Sequence, residues 1–158
     1  MGIEPRFNMN QINSYLQERI NTLDELMIRN LNYLGVECVN LAKNLDTYQV
    51  QTGNLKNSIG YIIVKHGNIL NSVFEVKERG PKYDSNETPG EVVGENFAKE
   101  IAIRYPQGYC LIVVAGMEYA SYVEDVHKQP VLQPSQVLAK TRINQIAQSI
   151  VNTMRKRE

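Results

Sequence analysis

The 158-residue chain is short of most features that announce a chemistry. Its two cysteines, Cys38 and Cys110, stand far apart in apolar company, which excludes a disulfide framework or a zinc site and reads them as small buried hydrophobes. Its two histidines, His66 and His127, are isolated, so no metal site with short ligand spacing is expected. Charge of one sign is not in excess: 17 basic and 17 acidic side chains leave a formal net charge of zero. That balance removes the concentrated positive field that free nucleic acid or an anionic membrane needs in a partner, and gives weak protection against self-association. No apolar run approaches the ~20 residues of a membrane span. The opening "MGIEPRFNMNQ" lacks the basic-then-apolar order of a secretory signal, so a soluble protein made in a reducing compartment is expected.

What is present is periodicity. Ile12, Leu16, Ile20, Leu23, Met27, Leu31, Leu34, Cys38, Leu41 and Leu45 recur at steps of three and four, which predicts a helix over 10–46 behind a flexible N-terminus at 1–9. Such a helix is longer than a single domain of this size covers easily, so part of its stripe is expected to face another chain. Gly35 inside it marks either a bend or a close helix contact. Thr52, Gly53 and Asn54 have the chemistry to stop that helix and reverse the chain. "IGYIIVK" and "ILNSVFEV" follow as a hairpin over 59–77, joined by His66, Gly67 and Asn68 as a three-residue connection.

Residues 78–94 are rich in Gly, Pro and charge and are predicted to be a mobile loop. "ENFAKEIAIRYP" is predicted as a short helix with Phe97, Ile101 and Tyr105 as its apolar face. "YCLIVVAG", 109–116, is apolar at nearly every position and is predicted as the central strand, covered on both faces. Tyr119, Tyr122, Val123 and Val126 lie at helical spacing. A final helix over 135–155 is predicted, with Ser135 as N-cap and an apolar face of Ala139, Ile143, Ile146, Ala147, Ile150 and Met154. The expected fold is a single α+β domain over 1–158, a small mostly antiparallel sheet packed against a long N-terminal and a C-terminal helix.

No catalytic constellation emerges. Cys110 with His127 and Glu124 fails as an acyl-transfer set because a thiol inside an apolar strand stays protonated. "GEVVGENF" has two glycines but neither the preceding strand nor the lysine of a phosphate cradle. From Glu75 to Glu100 there are seven acidic and four basic side chains, a solvated face or, against the basic end of the last helix, a surface for a neighbouring copy.

The order helix, "TGNLKNSI", hairpin, loop, strand, "YASYVE", proline-containing link, helix resembles the tail-completion, or head-tail joining, family of tailed bacteriophages. Thr52, Gly53, Asn54, Leu55, Lys56, Ser58 and Ile59 carry the first motif, and Tyr119, Ala120, Tyr122, Val123 and Glu124 the second. Pro130, Leu132 and Pro134 stand where the family has a proline and an apolar residue before the last helix. The likeness covers most of the chain from Leu41 onward. Where many relatives continue with a Gly-Thr pair after the second motif, this chain has Asp125, Val126 and His127. The resemblance implies a non-enzymatic virion protein without cofactor or metal. It would self-assemble as a ring, hexameric or higher, between the portal or adaptor proteins and the tail, with DNA passing through the lumen as its only nucleic acid. It would be found in the virion, and in the host bacterial cytoplasm during assembly. On that implication Thr52 to Lys56 aim the hairpin, Tyr119 and Tyr122 supply contact area or core packing, and Glu124 a charge or a cap. A different class of function, an adaptor that binds a host protein through the N-terminal helix, is also compatible with the excess stripe.

Overall fold

The computed structural model describes residues 8–45 and 50–156. Helix α1, Met9–Lys43, opens on Asn8, whose side chain accepts the Asn10 N–H at 3.1 Å. Its 35 residues make a rod about 52 Å long at 1.5 Å per residue. The helix thus starts earlier than 10 and ends before 46; Asp46 lies outside the described residues, as does most of the 1–9 segment. After it come a one-turn helix α2, Asn54–Asn57, the strands β1, Ile59–Lys65, and β2, Asn68–Val73, and helix α3, Gly90–Ala102. Strand β3, Tyr109–Ala115, the short α4, Ala120–Asp125, and α5, Gln133–Arg155, complete the chain.

The sheet is antiparallel with order β2-β1-β3, so the fold is α+β. Alternation along β1 sorts its side chains into two cores. Ile59, Tyr61 and Ile63 pack with Leu31, Val39 and Ala42 of α1, together with Leu55, Ala120 and Val131. Ile62 and Val64 pack with Ala98 and Ala102 of α3 and with Ile112 and Val114. Helix α5 lies against α1, anchored where Ser135 Oγ donates to the Cys38 carbonyl at 2.7 Å.

The structure departs from the sequence expectations at several points. The central strand is β1, not β3: β3 is the more apolar, but with β2 joined to β1 by a tight turn, β1 takes the middle and is buried along almost its whole length. The turn is a two-residue one, His66 and Gly67, both left-handed at φ 49° and 79°, and Asn68 already pairs with Lys65. Strand β2 stops at Val73 because side chains replace the ladder beyond it: Lys43 Nζ takes the Glu75 carbonyl and Asn57 takes the backbone of Lys77 and Glu78. Thr52, Gly53 and Asn54 do not stop α1; they begin α2.

Helix α3 begins at Gly90, five residues earlier than expected, so the loop ends before 90 rather than at 94. Its inward face is Gly90, Gly94, Ala98 and Ala102, while Phe97 and Tyr105 are exposed. The reason is distance: a Cβ on Gly94 would stand 2.2 Å from the Ser58 carbonyl oxygen, so only small residues fit where α3 meets the sheet. Gly35 is likewise a contact and not a bend, since a Cβ there would meet the Tyr61 ring at 2.6 Å. Ser135 is not the N-cap of α5 but a buried residue within its first turn, its hydroxyl committed to α1. On α5, Ile150 is buried, but Ile143 and Ala147 face outward because α1 covers only a narrow seam.

Candidate functional site

The "TGNLKNSI" segment is a knot of buried polar groups at the corner where α2, β1, α3 and β3 meet. Gly53 is left-handed at φ 85°, and a Cβ there would lie 2.3 Å from the Glu78 carbonyl oxygen, so both backbone and space require glycine. Thr52 Oγ1 accepts the Asn54 N–H at 3.2 Å and starts the turn of α2. Each polar side chain that follows is buried and each is committed to a partner. Asn54 Oδ1 accepts the Gly90 N–H that opens α3, at 3.3 Å. Ser58 Oγ donates to the Leu55 carbonyl at 2.8 Å and accepts the Gly116 N–H at 3.1 Å, tying down the end of β3. Lys56 pairs with Glu78 at 3.2 Å, the lysine side chain 7% exposed and the carboxylate 43%.

Asn57, fully buried, accepts from the Lys77 N–H at 2.7 Å and from the Glu78 N–H at 3.3 Å, and donates to the Glu78 carbonyl at 2.8 Å. Sequence reading passed over it, although three polar residues in a row, Lys56, Asn57 and Ser58, before an apolar strand were the available signal. It also passed over Lys43, whose buried Nζ donates to the Glu75 carbonyl at 2.5 Å. Burial pushes that ammonium's pKa down, with Glu75 acting against the shift. Two further backbone bonds, Gly80 N–H to Thr52 O at 3.0 Å and Lys82 N–H to Gln51 O at 2.9 Å, lay the following loop along the knot.

The second motif reaches the same corner. Tyr119 lines a cavity of about 610 Å³ together with Thr52, Gly53, Leu55, Lys56, Val123 and His127. Partial burial pushes the Tyr119 phenol up, and the Thr52 side chain hydrogen-bonded to it acts in the opposite direction. Residues more than sixty apart in sequence therefore share one wall. Tyr122 is turned away, exposed and edge-on to His127 at 5.0 Å. Glu124 faces the next segment: its Oε1 accepts the N–H groups of Val131 at 3.1 Å, Leu132 at 3.1 Å and Gln133 at 2.7 Å. That carboxylate caps α5 from outside the helix, where its charge also meets the positive end of the dipole.

No reactive grouping forms among these residues. Cys110 packs on the α3 side of the sheet, whereas His127 lines the cavity beside Leu55 on the α1 side. Burial pushes both the Cys110 and Cys38 thiols up, away from thiolate chemistry. Among the described residues no three His, Cys, Asp or Glu side chains are grouped to hold a metal ion, and no helix is long and apolar enough to cross a membrane.

The most conspicuous surface is on α1. Met9, Ile12, Leu16, Ile20 and Leu23 form one stripe at helical spacing and all are exposed, Met9 at 64% and Leu16 and Ile20 at 52%. From Leu26 onward the stripe continues into the core through Leu31, Leu34 and Cys38. No family model, curated protein or solved structure matches the chain.

Proposed function

We propose that the chain is a non-enzymatic structural subunit of a tailed bacteriophage or prophage virion. In this reading it is a tail-completion or head-tail joining protein that assembles as a ring between the portal assembly and the tail. The observation that carries the reading is the exposed stripe Met9, Ile12, Leu16, Ile20 and Leu23 on a helix whose other half is core. Covering a half-exposed side chain of this kind is worth about 1 kcal/mol, so the stripe as a row favours a neighbour. A zero net charge puts little electrostatic repulsion between copies. The knot at Thr52 to Ser58 and the cap at Glu124 support a scaffold reading, because the polar groups of both motifs are spent on holding elements together.

The test is the position of the chain in a reconstruction of the assembled particle, with mass measured in solution beside it. A ring of copies between portal and tail, with the α1 stripe buried against a neighbour, is the expected result. A discrete complex with one host protein docked on α1 would replace it with the adaptor reading, and a particle lacking the chain would refute it.

A further inference from the structure

The outer edge of β3 is open, and we infer that it pairs with the same edge of a second copy of this chain. The parity of the sheet says which groups are open. The His66 N–H donates to Gly108 O at 2.9 Å and the Gly116 N–H to Ser58 O at 3.3 Å, one bond at each end of the β1–β3 register. Even-numbered residues of β3 therefore turn their amides toward β1, and Tyr109, Leu111, Val113 and Ala115 turn theirs outward. No hydrogen bond reaches those outward groups among the described residues, and no further strand pairs with that side.

Natural edges are protected by charge, proline or bulges. The other edge of this sheet has such protection: β2 carries a bulge opposite Ile63 and Val64, and its sequence is "NILNSV". Strand β3, "YCLIVVA", has no charge, no proline and an unbroken register. The bulge makes β2 a poor mate for it, but β3 matches itself. An antiparallel pair centred on Ile112 sets Leu111 opposite Val113 and Tyr109 opposite Ala115, so every outward amide meets an outward carbonyl.

That register places the second copy's Leu111 and Val113 on the side of a cavity of about 680 Å³, which this copy's Leu111 and Val113 line with Cys38 and Leu132. It also brings exposed Glu118 of one copy toward the strand entry that exposed Arg104 precedes in the other, a complementary pair of charges. The edge and the α1 stripe are separate surfaces, so this contact stands whether or not the virion reading does.

A single strand pair is smaller than a standard interface, so the dimer is expected to be weak, in the range of about 10 μM to 1 mM. Amide exchange followed at both ends of that range, with sedimentation alongside, tests it. The amides of Tyr109, Leu111, Val113 and Ala115 should exchange freely in the dilute monomer and be slowed about tenfold or more in the dimer. Those of Cys110, Ile112 and Val114 should be protected in both. Val113→Lys should weaken dimerisation about tenfold or more, with the even-numbered amides reporting that the variant is folded; if it does not fold, the wild-type exchange pattern decides. Absence of self-association up to about 1 mM, outward amides protected already in the monomer, or a dimer that leaves them unprotected would each overturn the inference.

Discussion

Removing the Glu124 carboxylate isolates the cap that joins α4 to α5. In Glu124→Ala three N–H groups lose their acceptor, those of Val131, Leu132 and Gln133. They do not cost the same. Val131 is 1% exposed, so its amide is left without water or partner, a penalty of about 1–3 kcal/mol. Gln133 is exposed and its amide regains solvent at little cost. Loss of an anion at the N-terminus of α5 adds about 0.3–1 kcal/mol. The sum is about 1–4 kcal/mol, which in a domain of this size lowers Tm by about 3–15 °C. Glu124→Gln keeps an acceptor oxygen and removes only the charge, and should lose about 1 kcal/mol. Urea and thermal unfolding followed by circular dichroism measure both. A Glu124→Ala protein within about 0.5 kcal/mol of wild type would refute the assignment of this carboxylate as the cap.

Gly53→Val should fail to reach wild-type stability by more than about 2 kcal/mol, because a β-branched side chain at φ 85° is strained and its Cβ meets the Glu78 carbonyl; unchanged urea midpoints would remove this account of the turn. Asn57→Leu keeps the forked shape but orphans the Lys77 and Glu78 amides, so about 3 kcal/mol should be lost and limited proteolysis within 77–82 should accelerate. Leu16→Glu with Ile20→Glu should leave the unfolding midpoint within about 0.5 kcal/mol, since both side chains are exposed in the single copy, and under the proposed function should abolish incorporation into particles. The Glu95 carboxyl is held below the usual carboxylate range by Lys99 at 3.0 Å and Ser72 at 2.9 Å. Its contribution is therefore present above the unfolded value of about 4.3 and is lost as pH falls through the folded value; the acid limb of a urea-midpoint titration should be shallower in Glu95→Gln.

The long helix, the first strand and the α+β class were legible because hydrophobic period is a local property: steps of three and four in Ile12 to Leu45, and β-branched residues in "IGYIIVK", survive whatever packs on them. The left-handed Gly53 was legible for the same reason, being a demand of the backbone at one residue. Burial was not. Equal-looking leucines became surface at Leu16 and core at Leu34 because the sheet reaches only the second half of α1. Of the apolar face expected for this helix, Ile101 packs against the second core, but Phe97 and Tyr105 are exposed and Gly90, Gly94, Ala98 and Ala102 take the innermost positions, because the helix-to-sheet distance, not hydrophobicity, selected which face could enter. Nor does any local pattern say that "TGNLKNSI" and "YASYVE" share a wall, or that Glu124 caps a helix nine residues away. Sequence by itself determined the long helix, the first strand and the glycine of the left-handed turn; the tertiary structure decided where β2 ends and α3 begins, which glycines close contacts require, which strand is central, which faces are covered and which edge is left open, since those depend on neighbours brought together from distant parts of the chain.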